Sequence, residues 1–274
     1  MDGAPAFSVI VPTFGRPAFL REALESVLAQ TNPDFECIVV DDASPEPVEL
    51  PVDDPRFRLL RHTANRGPAA ARNTGLAAAR GHAVAFLDDD DLFGPQRLED
   101  AVVPLTSSPI TVCAAWTIGT DRVNQPNVAG NTADMILDVT PPSICQTIVV
   151  RAVCPPFDEL YIASEDTEWW LRASRVGDVA PTQRPACGRR VHDGPRILHG
   201  APARLSSNLQ LLEEYADYFA THRRARSYRW IRVGWLARDT GDRWLMLRAI
   251  RRALTADRSA RTWARAARLL SGRR

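Results

Sequence analysis

An apolar run, Ala83 to Leu87, leads without a break into four consecutive aspartates, Asp88 to Asp91. A short apolar run that follows a glycine, here Gly81, is typical of a buried strand. The aspartates then lie at the carboxyl end of that strand, where open α/β sheets bind their ligands. Four adjacent carboxylates repel one another, and a hard cation such as Mg²⁺ or Mn²⁺ offsets that repulsion. The alternative is a solvated acidic turn, and the strand in front of the acids favours the metal site.

The composition excludes two common kinds of site, a Schiff-base lysine and a Walker-type phosphate loop. The chain has 274 residues, of which 45% are hydrophobic, as in ordinary globular proteins. All 34 basic residues are arginine. Both a Schiff base and a Walker-type phosphate loop need lysine, so neither can form here.

The cysteines indicate a reducing compartment. Five cysteines are an odd number, and no two of them form a CxxC pair. This usage is typical of free thiols rather than of a disulfide framework or a zinc site. The first residues do not have the basic and apolar pattern of a signal peptide. We therefore expect a cytoplasmic protein, either free or peripheral on the inner face of the membrane.

Apolar periodicity alternates between strand and helix in the first hundred residues. The predicted strands are 7–13, 35–40, 57–61 and 83–87, and the predicted helices are 16–30 and 67–80. This alternation predicts a parallel sheet with right-handed crossovers. Asp41 and Asp42 follow the second strand, so they share an edge of the sheet with Asp88 to Asp91. With Arg66 and Arg72 near in sequence, this edge is suited to a nucleoside diphosphate, because arginine binds diphosphates bidentately. Taken alone, Asp41 and Asp42 could equally cap a helix or a turn.

The second half of the chain carries two candidate functional groups. After predicted strands at 110–116 and 144–150, the sequence Ser164-Glu165-Asp166 opens a helix. Acids in a first helical turn stabilise the positive helix end, which accounts for them without any function. An acid beside a cleft can also act as a general base. His192 follows another short predicted strand, and a lone histidine is more often structural than a metal ligand.

The C-terminal region is basic and helical in pattern. Residues 204–274 contain 17 arginines against six acids, while the remainder is acidic. We predict one amphipathic helix over 205–219 and further helices after it. Helices with tryptophan and arginine over 226–274 either contact an anionic membrane or pack on the main domain. Nucleic-acid binding is not expected, because the acidic front would repel a phosphate backbone.

Five motifs occur together and in order, and they resemble family 2 glycosyltransferases. The motifs are Ser8 to Phe14, Val39 to Ser44, Asn65 to Gly75, Phe86 to Asp91 and Glu165-Asp166. The resemblance implies the GT-A fold: a single Rossmann-like domain with a mixed, mostly parallel sheet, here followed by a C-terminal helical extension. We expect a donor-binding half at 1–100, an acceptor-binding half at 101–203 and the extension at 204–274.

The resemblance also implies roles for individual residues at the donor site. Asp42 would contact the nucleotide base, with Pro12 and Phe14 lining the same pocket. Arg72 would lie near the diphosphate. Asp88 and Asp89 would bind the donor, with Asp89 near the ribose or a metal-bound water.

The metal and the base follow from the same resemblance. Asp90 would bind Mn²⁺ or Mg²⁺, and His192 resembles a histidine that completes the metal site in some members. Asp166 would be the catalytic base. The tail after residue 200 does not follow a shared family pattern, so the resemblance implies no role for it.

The expected function is metal-dependent, inverting transfer of a hexose from a nucleotide sugar to an acceptor hydroxyl. A UDP-sugar is favoured, because a carboxylate at Asp42 suits the imide N–H of uracil or thymine. The acceptor is left open among a lipid-linked glycan, a polysaccharide end, a peptide and a small metabolite, in cell-envelope or polysaccharide biosynthesis. Two alternatives remain. A sugar nucleotidyltransferase would need a glycine-rich first loop, which Pro12 to Pro17 does not supply. A non-catalytic nucleotide-sugar-binding protein would not need the acidic cluster Asp88 to Asp91.

Overall fold

The computed structural model describes residues 3–50, 53–138, 140–191 and 200–271. Within these residues the chain divides into two compact units. The first, here called the sheet unit, comprises 1–133, 141–159 and 169–192. The second, the helical unit, comprises 134–140, 160–168 and 193–274. The short segments 134–140 and 160–168 thus group with the C-terminal region. The three-part division expected from the sequence stays a prediction.

The sheet unit contains one mixed sheet. Its strands are β1 (Phe7–Thr13), β2 (Phe35–Asp41), β3 (Phe57–Arg61), β4 (Ala83–Phe86), β5 (Leu92–Phe93), β6 (Ile110–Thr117), β7 (Val123–Asn124), β8 (Thr147–Val150) and β9 (Val179–Arg189). Their spatial order is β3-β2-β1-β4-β8-β6-β9-β5, with β7 paired to β6. Strands β1 to β4 are mutually parallel, and β8 runs antiparallel between β4 and β6. The predicted mixed α/β sheet is therefore confirmed.

Apolar residues on both faces explain why β1, β2 and β4 occupy the centre of the sheet. Every residue of these three strands is buried. Near-continuous apolar runs of this kind are typical of parallel strands that are covered on both sides. The register places Thr13 of β1 opposite Asp41 of β2. The loops that follow these strands therefore start at the same edge.

The helices lie close to the predicted positions. They are α1 (Pro17–Leu28), α2 (Pro68–Ala78), α3 (Glu99–Val102), α4 (Glu165–Ala173), α5 (Ala201–Glu214), α6 (Ala216–Thr221), α7 (Arg223–Asp239), α8 (Arg243–Ala256) and α9 (Ala260–Ser271). Short 3₁₀ turns occur at Pro104–Thr106, Ile144–Gln146 and Arg151–Val153. Proline begins both α1 and α2, where its missing N–H costs no helical hydrogen bond.

Two predicted elements are wrong in detail. The strand predicted at 144–150 begins with a 3₁₀ turn, and only Thr147–Val150 pairs in the sheet. A capping box explains the turn, because the side chains of Ser143 and Gln146 each bond the backbone of the other residue. The helix predicted over 205–219 is instead two helices, since α5 ends at Glu214 and α6 begins at Ala216.

The helical unit has a core of its own. Its buried members come from α7, α8 and α9, among them Trp230, Val233, Ala249, Ala253 and Leu269. Among the described residues, no helix combines the length and the apolar character needed to cross a bilayer.

Candidate functional site

Thr13, the last residue of β1, connects the loops that follow β2 and β4. Its carbonyl oxygen accepts the N–H of Asp42 at 2.9 Å. Its hydroxyl donates to Oδ2 of Asp89 at 2.8 Å. The two predicted acidic loops are therefore held to the same strand end.

Asp41 has a structural role in the loop after β2. Its side chain is fully buried. It accepts the backbone N–H of Ser44 at 2.8 Å and pairs with the guanidinium of Arg61 at 3.0 Å. Ala43 between them has φ +63°, in the left-handed region that this tight loop requires. Asp41 thus fixes the loop that carries Asp42.

Asp42 accepts hydrogen bonds from three parts of the sheet unit. Oδ1 contacts Nδ1 of His62 at 2.7 Å and accepts the N–H of Arg66 at 2.9 Å. Oδ2 accepts the N–H of Gly67 at 2.7 Å. Gly67 directly precedes α2 and has φ +86°, which favours glycine. One carboxylate therefore ties together the ends of β2 and β3 and the start of α2.

His62 extends this arrangement to α2. Its Nε2 lies 2.8 Å from the hydroxyl of Thr74. When Nδ1 donates to Asp42, Nε2 accepts from Thr74, so one neutral imidazole satisfies both partners. His62 thereby orients the carboxylate of Asp42.

Asp88 pairs with the predicted Arg72. Nη2 of Arg72 donates to Oδ1 of Asp88 at 2.6 Å. Arg72 is buried, and its guanidinium lies 5.2 Å from the ring centre of Phe157. The Asp88 side chain is 36% exposed, so the carboxylate that pairs with this buried arginine is accessible to solvent.

Asp89 and Asp90 share one guanidinium, that of Arg16. Nη1 of Arg16 lies 2.7 Å from Oδ2 of Asp90 and 3.3 Å from Oδ1 of Asp89. Burial raises the pKa of Asp89 to about 7, against the opposing effects of the Thr13 hydroxyl and the Arg16 charge. Arg16 thus supplies positive charge where these acids crowd together.

Asp91, the fourth acid, belongs to the scaffold. It is buried, and its Oδ1 accepts the N–H of Arg190 at 3.0 Å. Burial raises its pKa to about 7, and the charge of Asp88 acts in the same direction. The side chain of Arg190 donates to the carbonyl of Asp90 at 3.1 Å and pairs with Glu22. Asp91 therefore joins the acidic turn to the end of β9.

A second group of possible metal ligands lies next to this turn. Oxygen of Asp91 and the sulfurs of Cys145 and Cys187 all lie within 4.8 Å of one another. Burial raises the pKa of the Cys145 thiol well above its ordinary value, and Cys187 acts in the same direction. Both thiols are fully buried, and buried free cysteines commonly pack as small apolar groups. The thiols also do not suit the hard cation expected here.

The partly exposed acids suit a hard divalent cation. Asp88 and Asp90 have side chains that are 36% and 22% exposed, whereas Asp89 and Asp91 are buried. Carboxylate oxygens are the ligands that Mg²⁺ and Mn²⁺ prefer. Arg72 pairs with Asp88, and Arg16 pairs with Asp90. These arginines offset the same negative charge that a bound cation would offset. The donor set therefore fits the expected metal, while His192 lies outside the described residues.

The two predicted pocket residues on β1 and its loop are Pro12 and Phe14. Pro12 is buried opposite Val40, inside β1. Phe14 is partly buried just after the strand. Both adjoin the strand end that carries Thr13, and their contact with a base stays a prediction.

Asp166 lies in the helical unit, in the first turn of α4. Its Oδ1 accepts the N–H of Thr167 at 2.7 Å. Arg229 of α7 is fully buried in the same unit. Burial lowers the pKa of Arg229 to about 10, the charge of Arg232 lowers it further, and Asp166 is among the groups that oppose this. A buried positive charge therefore acts on the predicted base.

The sequence interpretation missed three residues of this edge: Thr13, Arg16 and His62. Thr13 ends β1 and His62 directly follows β3, so searching for polar residues at each predicted strand end would have found both. Arg16 gave no such signal, because only the folded loop brings it onto acids more than seventy residues away.

Comparison with known sequences identifies a family over the first half of the chain. The family described as "Glycosyl transferase family 2" matches residues 8–141. An uncharacterised glycosyltransferase of Rickettsia felis is 44% identical over 96 residues, which is 34% of this chain and 16% of that protein. The chain spans between 14% and 35% of the length of five such curated relatives.

A longer match is to an Escherichia coli enzyme. The protein is named UDP-Glc:alpha-D-GlcNAc-diphosphoundecaprenol beta-1,3-glucosyltransferase WfgD. It is 28% identical over 189 residues, covering 63% of this chain and 71% of the enzyme.

Solved structures share the fold at low identity. The S. aureus TarS fragment 1–349 superposes with a TM-score of 0.65 at 19% identity, covering 91% of this chain and 80% of that one. A mannosyltransferase of Pyrobaculum calidifontis, solved with GDP-Man and Mn²⁺, gives a TM-score of 0.59 at 19% identity and covers 99% and 80%. These likenesses support the GT-A-type sheet with a helical C-terminal region.

Proposed function

The chain belongs to glycosyl transferase family 2, and we propose that it moves a sugar from a nucleotide diphosphate sugar to an acceptor hydroxyl. The main supporting observation is the edge of the sheet where Asp42 follows β2 and where Asp88 and Asp90 follow β4, the two parallel strands on either side of β1. Such an edge, with acceptors for a base and charges for a diphosphate, is where open α/β sheets bind nucleotides. A UDP-sugar is the favoured donor.

The hydrogen bonds of the Asp42 carboxylate support uracil as the base of the donor. A carboxylate has about four lone-pair positions, and three polypeptide donors occupy positions on Asp42. The remaining position can accept the imide N–H of uracil, whereas cytosine presents an acceptor there. We propose that Pro12 and Phe14 line the same base pocket.

The diphosphate would lie over the acids after β4. Asp90, with His192 by family resemblance, would hold Mn²⁺ or Mg²⁺. When bound, such a cation supplies positive charge that favours departure of the nucleoside diphosphate. Arg72 beside Asp88 adds a fixed guanidinium near the same group. Asp89 would contact the ribose or a metal-bound water.

Asp166 is the proposed general base. It takes the proton from the acceptor hydroxyl while that oxygen bonds to the anomeric carbon. The bond to the nucleoside diphosphate breaks on the opposite face, so a single displacement inverts the configuration. No covalent glycosyl intermediate is needed.

The proposed acceptor is a lipid-linked glycan in polysaccharide biosynthesis. Support comes from the Escherichia coli relative, whose name gives a sugar on diphosphoundecaprenol. An acceptor of this class is presented at a membrane. This agrees with the expectation that the chain acts peripherally on the inner face, with 226–274 as the contacting region.

The first experiment is a screen of nucleotide sugars without acceptor. Purified protein is mixed with UDP-, GDP- and dTDP-sugars, with Mn²⁺ or with EDTA, and release of nucleoside diphosphate and thermal stabilisation are measured. We expect one UDP-sugar to respond, and only with the metal. Asp90→Asn should lose the response, while the exposed Asp217→Asn, with the same charge change, should keep it.

The outcomes separate the proposal from its alternatives. Stabilisation without release, even with candidate acceptors, would point to a non-catalytic binding protein. Release of pyrophosphate from a nucleoside triphosphate and a sugar phosphate would point to a nucleotidyltransferase. A metal-independent response would overturn the role of Asp90.

A further inference from the structure

One face of α8 exposes tryptophan, leucine and arginine together. Trp244 is 84% exposed and Leu247 is 46% exposed. Arg248 and Arg251 follow at helical spacing on the same side and are also exposed. A tryptophan exposed to this extent does not stabilise the fold by burial, because its apolar surface faces water.

The next helix, α9, exposes a second apolar stripe. Trp263 is 57% exposed and Leu270 is 59% exposed, and the two lie seven residues apart on the same side. The neighbouring side of the helix is buried through Ala266 and Leu269. The helix therefore carries more apolar surface than its own unit covers.

A shallow groove of about 440 Å³ joins the two stripes. Its lining residues are Leu247, Ile250, Arg251, Leu254, Thr255, Arg258 and Trp263. Because Leu247 and Trp263 line the same groove, the exposed surfaces of α8 and α9 are continuous. We call this surface the α8–α9 face, defined by Trp244, Leu247, Arg251, Arg258, Trp263 and Leu270.

The charge of this region is strongly positive. Residues 243–271 hold eight arginines against one acid, Asp257. Arg252 and Arg265 turn towards the rings of Trp230 and Tyr228, at 4.5 and 4.9 Å from the ring centres. Arg251 and Arg258 instead line the groove beside the exposed apolar side chains.

We propose that the α8–α9 face docks on an anionic lipid bilayer. Tryptophan is favoured at the boundary between headgroups and acyl chains, leucine enters that boundary, and arginine attracts anionic headgroups. A second copy of the chain does not fit, since a symmetric contact would place arginines against arginines. Nucleic acid does not account for the exposed leucines, which have no partner on a phosphate backbone.

This proposal rests on the membrane contact proposed above for 226–274 and names the surface that makes it. The test is vesicle binding without any donor sugar, so its failure can be distinguished from a failure of sugar transfer. Sedimentation is measured with vesicles of phosphatidylcholine alone and with about a quarter phosphatidylglycerol. We expect binding to the anionic vesicles only, weakening when NaCl rises from about 0.1 to about 0.5 M.

Two pairs of variants test the two kinds of contact. Arg251→Gln/Arg258→Gln should weaken binding by about 30-fold, since each arginine near an anionic surface contributes about fivefold. Trp244→Ser/Trp263→Ser should weaken binding and abolish any blue shift of tryptophan fluorescence. All four side chains lie at the surface, so folding is preserved, and thermal unfolding verifies this.

Matched controls lie away from the face. Arg21→Gln/Arg122→Gln makes the same charge change at exposed positions of α1 and of the turn before β7, and Val103→Ser replaces an apolar side chain by a polar one at an exposed site. Both should bind as the unaltered protein does. Equal losses in controls and face variants would overturn the proposal, as would binding to neutral vesicles alone. A dimer that the Trp variants dissociate, or tight binding of single-stranded RNA without vesicle binding, would do the same.

Discussion

At the scale of single residues, Arg16 stands where the proposed cation would act. Its side chain is 14% exposed, and its guanidinium contacts Asp89 and Asp90 together. A positive side chain and a divalent cation offset the same repulsion, so they compete for these carboxylates.

This competition gives the first prediction. Arg16→Gln should bind Mn²⁺ about fivefold more tightly in the absence of donor, because the acids lose their internal cation. Isothermal calorimetry with Mn²⁺ alone measures this. Arg21→Gln, on the exposed side of α1, the helix that follows Arg16, should leave the affinity unchanged. Unaltered or weaker Mn²⁺ binding in Arg16→Gln would show that Arg16 and the cation do not compete.

The second prediction concerns the proposed base. Asp166→Asn should lower turnover by about 10²- to 10⁴-fold, the usual contribution of a positioned base. The donor should still bind, since the change removes a proton acceptor and no donor contact. Product formation and donor-induced thermal shifts measure the two effects. Glu165→Gln, one residue earlier in the same helical turn, is the matched control. Turnover of Asp166→Asn at the rate of the unaltered protein would exclude the assignment.

At the scale of elements, α2 presents Arg72 because it packs very close to β1. A Cβ built on Gly75 would lie 2.4 Å from Cγ2 of Ile10. Only glycine allows this approach, and the approach brings the helix start to Asp42 and its middle to Asp88.

The third prediction follows from this contact. Gly75→Ala should destabilise the protein by about 1–3 kcal/mol, the usual effect of overpacking a core. Urea unfolding measures this. The exposed Ala77→Ser on the same helix should change stability by no more than about 0.5 kcal/mol. In a double-mutant cycle, Ile10→Ala should relieve part of the effect, and strict additivity would argue against the clash.

The strands, helices and their contacts also show how much of the fold and of the site could be predicted from the sequence. The strands β1 and β3 have the predicted bounds, because their apolar runs end abruptly in turn residues. The acids after β2 and β4 share an edge because parallel topology requires it. Asp42 and Arg72 could be assigned by family resemblance, yet their partners His62 and Phe157 could not, since these contacts form only between distant segments. The 3₁₀ turn at Ile144–Gln146 was missed because a capping box overrode an apolar run.

At the scale of the whole molecule, ligand binding should increase the free energy of unfolding. A ligand at one hundred times its dissociation constant stabilises a protein by about 2.7 kcal/mol. For a chain of this size, we expect UDP with Mn²⁺ to raise Tm by roughly 5–10 °C. Calorimetry measures this shift, and EDTA should remove it. Asp90→Asn should not respond, while Asp217→Asn should. A shift that survives EDTA would contradict the predicted role of the metal.

The hydrogen bonds of Asp42 have a consequence for how such a protein can change over evolution. The carboxylate that would select the donor base also holds His62 and the N–H groups of Arg66 and Gly67. A substitution at this position would therefore alter the attachment of α2 as well as, on the proposed role, the choice of nucleotide. A lineage adopting another base would have to rebuild the ends of β2 and β3 at the same time, or retune its preference through Phe14. On the proposed role of Asp42, donor choice would be inherited together with the scaffold.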